Sequence, residues 1–241
     1  MIVGYYTLLK GNFKMKIIAS DFDGTICRNG IITDQDKNAI YEWQKNGNLF
    51  GIVTGRGQNI INTLADFEIK LDYAIAYNGA IVLNSKGEIL YEDWFKRGIA
   101  KEYFDFAYST EYEFQYPYDC TYDPNDESKE HQLTLLLKDK YNANEFAEKL
   151  NKKFKGKLTS FSNGQWINTV KYGTSKATGI EHYAKLMGVK KEDIYTVGDF
   201  FNDLPMLQAF NGYVVDTCHP EMKKLIPNVC KNIAHLTEIV F

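Results

Sequence analysis

Lys16-Ile17-Ile18-Ala19-Ser20-Asp21-Phe22-Asp23-Gly24-Thr25 is the stretch that decides the fold. Its first half is a short, mostly apolar run, and acids and a glycine follow at once. That order is the signature of a buried parallel strand ending in a loop. Two carboxylates at positions i and i+2 project the same way from extended chain. At the carboxyl end of a parallel strand they stand where open α/β sheets place their ligands. So close together they repel unless a cation or a shared proton compensates. A hard divalent ion such as Mg²⁺, bound through oxygens, is the natural resolution, the alternative being a capped turn with solvated acids.

Outward from this stretch the chain keeps a β-α-β rhythm. Thr33 before Asp34-Gln35-Asp36 predicts a helix start, with Gly47 as its stop. Leu49 to Val53 predicts a second buried strand, Gln58 to Phe67 a helix with Ile60, Ile61, Leu64 and Phe67 on one face, and Tyr73 to Ala76 a third strand. The rhythm breaks at Asn78-Gly79. Ala80 to Leu83 and Glu88 to Tyr91 predict a hairpin. A helix over 99–108, strands near 113–116 and 132–137, a helix over 143–154 and strands near 158–161 and 166–170 follow. Hairpins with intervening helices predict an α+β insert. From Lys176 the first rhythm resumes: a helix to Met187, a strand over 194–197, a helix over 203–210 and a strand over 213–215. The expected fold class is therefore α/β, a Rossmann-like parallel sheet core (15–81 and 172–241) with an inserted α+β cap domain (82–171). Residues 1–14 are expected to be an N-terminal extension with no part in the chemistry.

Composition bounds the function. The chain has 241 residues, 44% of them hydrophobic and 24% charged, enough for a core without staples. A net charge of -3 argues against a nucleic-acid partner. No apolar run reaches the roughly 20 residues of a spanning helix, and Met1 to Leu9 lacks the basic flank of a signal peptide. Cys27, Cys120, Cys218 and Cys230 are scattered and are read as reduced thiols of a cytoplasmic protein.

Three further motifs carry chemistry. Val53-Thr54-Gly55-Arg56 ends the second strand, where a hydroxyl and free amides suit a phosphate group, although a Thr-Gly turn also simply starts helices. Gly198-Asp199-Phe200-Phe201-Asn202-Asp203 places a second acidic pair after a second buried strand. Asp at a helix start is commonly a cap, but two such clusters favour one shared metal site. Lys176 opens a helix against the dipole, a hint that anions need neutralising there, with Lys171 as its local rival.

In this order the four motifs resemble the haloacid dehalogenase superfamily of aspartate-nucleophile phosphatases, from Asp21-x-Asp23-x-Thr25 through Thr54 and Lys176 to Asp199-x-x-Asn202-Asp203. The insert between the second and third motifs, and Asn78-Gly79-Ala80 before it, resemble the Cof-like branch. The resemblance implies Asp21 as nucleophile, Asp23 as general acid and base, and Thr54, Gly55, Lys176 and Asn202 around the phosphate. It also implies Mg²⁺ held by Asp21, the Asp23 main-chain carbonyl and Asp199, with Asn202 and Asp203 supporting. The partner expected is a small phosphomonoester, sugar phosphates leading, without nucleic acid or membrane, and the protein is expected to be a monomer or weak dimer. Two rivals share the pattern: a phosphosugar mutase or phosphotransferase of the phosphomannomutase kind, and a regulatory binding module on a weakened site. His219, after a strand, is read as structural. The aromatic residues of the insert, among them Tyr91, Trp94, Tyr103 and Phe114, are read as a small core rather than a sugar-stacking surface.

Overall fold

A computed structural model describes residues 14–116 and 123–241. All of the expected extension over 1–14 except Lys14, and Cys120 within 117–122, lie outside them. The chain runs β1 (Ile17–Ser20), α1 (Asp34–Lys45), β2 (Leu49–Val53), α2 (Ile60–Asp66), β3 (Tyr73–Ala76), β4 (Ile81–Asn84) and β5 (Ile89–Glu92). Then come β6 (Phe95–Lys96), α3 (Ile99–Tyr108), β7 (Lys129–Glu130), β8 (Leu133–Leu136), α4 (Ala143–Lys153), β9 (Leu158–Asn163) and β10 (Trp166–Lys171). The last stretch is α5 (Lys176–Met187), β11 (Ile194–Gly198), α6 (Leu204–Ala209), β12 (Asn211–Val215), α7 (Pro220–Leu225), β13 (Val229–Cys230) and α8 (Ile233–Val240).

The apolar run before Asp21 is fully buried and lies in the middle of an eight-stranded sheet ordered β13-β12-β11-β1-β2-β3-β4-β5. β1 pairs in parallel with β2 on one side and β11 on the other, Ser20 standing opposite Ile52 and Val197. That register brings the loops after β1, β2 and β11 to one edge. Thr33 starts α1 as the sequence predicts, its side chain accepting the Asp36 amide at 3.1 Å, and Ser175 and Thr178 form a reciprocal capping box ahead of α5. Ile40 and Trp43 bury the inner face of α1.

The structure departs from the sequence reading at the hairpin. β4 and β5 do not open the insert; β4 pairs antiparallel with β3 and extends the central sheet by two strands. Ile81, Val82 and Leu83 are all fully buried, a continuous run that a one-sided hairpin would not tolerate. The insert's own sheets therefore begin beyond Glu92, not at residue 82. The expected strand near 113–116 is a single bridge between Phe114 and Leu137.

Between β5 and α5 the chain builds a three-stranded antiparallel sheet, β8-β10-β9, and a short β6-β7 pair. Phe104, Phe146, Leu150, Phe154 and Ile167 form its separate apolar core, with Tyr103 buried among them and Tyr112 and Phe114 packed against it. Most of the insert's aromatics are thus packing, as expected. Tyr91, on β5 of the central sheet, stacks on His182 of α5 with ring centroids 3.6 Å apart, and Tyr116 is exposed. Among the described residues no helix is long and apolar enough to cross a membrane.

Candidate active site

Asp21 leaves β1 at the edge shared by the parallel strands, and its main-chain amide still donates to Val197 of β11 at 2.9 Å. Its carboxylate is buried. Lys176, from the first turn of α5, reaches it: Nζ donates to Asp21 Oδ1 at 2.5 Å and to Asp203 Oδ1 at 2.6 Å. The lysine side chain is wholly buried, and so is that of Asp203. Burial opposes the ammonium charge, but Asp203 and Asp21 outweigh it and hold Lys176 protonated above the ordinary lysine range. Lys171, the rival, pairs instead with Asp93 at 2.5 Å and is half exposed.

Asp203 is fully committed as a strut. Its second oxygen, Oδ2, accepts the main-chain amides of Asp199 at 2.9 Å and Phe200 at 3.1 Å, which fixes the loop after β11. Asp199 thereby faces Asp21. Thr25 Oγ1 donates to Asp199 Oδ1 at 3.1 Å, tying the loop after β1 to the loop after β11. Gly24 makes this approach: its φ is +81°, and a Cβ there would lie 2.4 Å from Asp199 Oδ2.

Oxygens of Asp21, Asp199 and Asp203 come within 4.8 Å of one another. Three buried or half-buried carboxylates against one lysine leave negative charge uncompensated. Burial, and after it the charge of Asp203, push the Asp199 carboxyl up to about 6 and raise that of Asp21 well above the ordinary range. Asn202 is buried beside them, and its Oδ1 has no hydrogen-bond partner among the described residues. An all-oxygen donor set, excess negative charge and an orphaned amide oxygen together fit a hard divalent cation such as Mg²⁺.

Asp23, expected to offer the metal its main-chain carbonyl, turns its side chain elsewhere. Its side chain lies outside the three-carboxylate group and is half exposed at the mouth of the site. Arg56 holds it by two hydrogen bonds, from Nε at 2.8 Å and Nη2 at 2.7 Å, while the guanidinium rests over the Phe22 ring. Past Phe22 the chain turns instead of running on extended, and of the i, i+2 pair only Asp21 joins the three-carboxylate group. Arg56 was visible only as the last residue of Val53-Thr54-Gly55-Arg56; nothing in the spacing pointed to Asp23. Thr54 is buried at the end of β2, its Oγ1 accepting the Arg56 amide at 3.1 Å, and the turn through Gly55 follows.

His219 caps α7, its Nδ1 accepting the Glu221 amide at 3.3 Å, and its own amide donates to the Asp199 carbonyl at 3.0 Å. That is a supporting role, as read. Cys27 is buried, and burial followed by the nearby Asp23 charge raises its thiol pKa, so it is not poised to react.

A profile of haloacid dehalogenase-like hydrolases matches residues 18–134 and 105–235, nearly the whole chain. The chain belongs to that family. Solved structures agree in fold: a haloacid dehalogenase-like hydrolase of Bacillus subtilis has 18% identity, covers 94% of this chain and 100% of its own, and superposes with a TM-score of 0.79. A Bacteroides thetaiotaomicron protein described among the superfamily's phosphatases has 19% identity, 95% coverage of both chains and a TM-score of 0.77. A proposed HAD/COF-like hydrolase of Plasmodium vivax gives 21% identity, coverage of 96% and 97%, and a TM-score of 0.75. An uncharacterised protein of Mycoplasma capricolum is 24% identical over 86% of this chain and 92% of its own. This haloacid dehalogenase-like hydrolase has the architecture of the Cof-like branch, its insert lying between the Thr54 and Lys176 motifs.

Proposed function

We propose that this hydrolase is a magnesium-dependent phosphatase of small phosphorylated metabolites, sugar phosphates first among them, acting through an aspartyl-phosphate on Asp21. The observation that carries the reading is the buried Lys176–Asp21 contact of 2.5 Å at the edge of the central sheet. A lysine there fixes the carboxylate's orientation and offers a cation to an incoming phosphoryl group.

In the proposed reaction an Asp21 oxygen attacks phosphorus while the bond to the leaving oxygen breaks, splitting one difficult step into two. Asp23, at the solvent side, gives its proton to the leaving oxygen and then takes one from the water that attacks the aspartyl-phosphate, releasing orthophosphate and restoring both acids. To donate, the Asp23 carboxyl has to leave its Arg56 fork. The Thr54 hydroxyl, the Gly55 amide, Asn202 and Lys176 hold the equatorial oxygens. Mg²⁺ would be held by Asp21, Asp199 and the Asp23 main-chain carbonyl, with Asn202 and Asp203 around them. When bound it supplies charge neutralisation of the nucleophile and the phosphoryl oxygens. Acceleration of up to ~10²¹-fold is needed for monoester hydrolysis, which is why nucleophile, acid and cations are all present together.

Free thiols at Cys27, Cys218 and Cys230 support a reducing, cytoplasmic setting, and a monomer or weak dimer suffices for the site. Purified protein with Mg²⁺ is expected to release phosphate from members of a broad monoester panel. Release from none removes the phosphatase reading. A bisphosphorylated sugar product with little free phosphate would make the protein a phosphotransferase instead.

A further inference from the structure

Two buried side-chain oxygens lack a partner among the described residues: Asn202 Oδ1, in the site above, and Asn78 Oδ1. Asn78 follows β3 in left-handed backbone, φ 52° and ψ 33°, and is almost wholly buried. Its amide donates to Thr54 O at 2.9 Å, so it is anchored to the residue proposed to hold phosphate. Its side chain meets the insert. Asn78 Nδ2 donates to Gln132 Oε1 at 2.9 Å, and Gln132 Nε2 in turn donates to Gly55 O at 3.1 Å and to Asn168 Oδ1 at 3.2 Å. Thr134 Oγ1 donates to the same Asn168 oxygen at 3.2 Å. Asn168 Nδ2 makes no hydrogen bond to a described residue and, unlike Asn78 Oδ1, is not wholly closed off from solvent.

Gly55 lies where the unmatched atoms converge. A Cβ on it would stand 3.1 Å from the paired Asn78 Nδ2, 3.2 Å from Asn168 Nδ2 and 3.4 Å from Asn78 Oδ1. An acceptor without a donor, on the core, therefore faces a donor without an acceptor, on the insert. The Asn78 oxygen is wholly buried, and a buried acceptor left unpaired is costly. An alcohol is the group that answers both, because one hydroxyl donates once and accepts twice. A carboxylate would meet the oxygens of Asn78 and Gly55 with no charge to oppose it, and an ammonium would leave the Asn168 donor unpaired. No charged side chain takes part in the network.

Resting on the phosphatase reading, we propose that Asn78 and Asn168 are specificity residues that seat a hydroxyl of the substrate's leaving group, selecting phosphorylated polyols over esters without a free hydroxyl. The seam opens when the insert lifts, and it closes with the hydroxyl between the two amides. Gln132 holds the pair in register when no substrate is present. Specificity of this kind follows because a site built to bond a hydroxyl rejects the analogue lacking it.

The test compares kcat/KM for sorbitol 6-phosphate and for phenyl phosphate, with Mg²⁺, in the full-length protein. Asn78→Gly keeps the left-handed backbone and removes the acceptor; Asn168→Ala removes the donor. Each is expected to lower kcat/KM about tenfold or more on the polyol ester while leaving phenyl phosphate within about twofold. Equal losses on both esters, or no loss on either, would overturn the seat while leaving the phosphatase reading intact. Failure of the wild-type protein to release phosphate from any monoester would overturn both.

Discussion

Lys176 Nζ lies 2.5 Å from Asp21 Oδ1 with both side chains buried, although 155 residues separate them in sequence. One contact thus joins the strand that starts the core to the helix that resumes it. Asp21→Asn is expected to abolish phosphate release while leaving the circular dichroism spectrum unchanged, because the amide keeps the volume and loses the proposed nucleophile. Full turnover in that variant would remove Asp21 from its role.

Lys176 also balances Asp203, so its removal strands two buried acids. Lys176→Ala is expected to lower kcat by about 10²-fold or more. It is also expected to cost about 3–5 kcal/mol of stability, as when one partner of a buried ion pair is lost. Urea unfolding and steady-state kinetics measure the two effects separately. Lys171→Ala, which removes only a half-exposed partner of Asp93, is expected to change kcat little.

Much of this site was readable because parallel strands share a carboxyl edge. Asp21, Thr54 and Asp199 each follow a short buried run, and three such runs in one sheet bring their ends together whatever the distance along the chain. Lys176 betrayed itself by opening a helix against its dipole. Arg56 and Gln132 did not, since their partners, Asp23 and Asn78, are set by how the turn after β1 and the insert fold in space. The hairpin over 81–92 was misplaced for a related reason. Its local pattern is the same at the edge of a large sheet or in a small one, and only the unbroken burial of Ile81 to Leu83 separates the two. β13 is too short for a local signal, whereas α7 opens on Pro220 and α8 on an Asn232 cap, local starts that the strand-and-helix rhythm alone does not include.

Asp23 stands apart from the carboxylate group, at the mouth, where it can reach a leaving oxygen. If it is the acid, its value depends on how badly the leaving group needs a proton. Asp23→Asn is expected to lower kcat/KM for alkyl phosphates by about 10²–10⁴-fold. The loss is expected to be much smaller for p-nitrophenyl phosphate, whose leaving group departs without help. A uniform loss across both esters would assign Asp23 to metal or phosphate binding instead.

The Asp199 carboxyl, pushed up to about 6 from 3.8 by burial and the charge of Asp203, makes cation binding pH-dependent. In metal-free protein the unfolded chain ionises this group first. The stability it contributes is present below 3.8 and is lost as pH rises through about 6. A divalent cation held as proposed would bind the ionised form and reverse that loss. Saturating Mg²⁺ is therefore expected to raise Tm more at pH 7.5 than at pH 5, measured by scanning calorimetry. An equal shift at both values would mean that the acids are already ionised without it.

Gly24 supplies the last prediction, which separates the metal site from the nucleophile. Its φ of +81° is costly for a residue with a side chain, and an added Cβ would meet Asp199 Oδ2 at 2.4 Å. Either the loop after β1 shifts or Asp199 turns away, and both spread the carboxylates that are to hold the cation. Gly24→Ala is expected to cost about 1–2 kcal/mol from backbone strain alone. Beyond that it is expected to weaken Mg²⁺ binding about tenfold or more, read as a rise in the Mg²⁺ concentration giving half-maximal activity. Because Asp21 and Lys176 are untouched, saturating Mg²⁺ is expected to restore most of kcat. A variant whose kcat stays low at every Mg²⁺ concentration would show that Gly24 shapes the nucleophile's own turn.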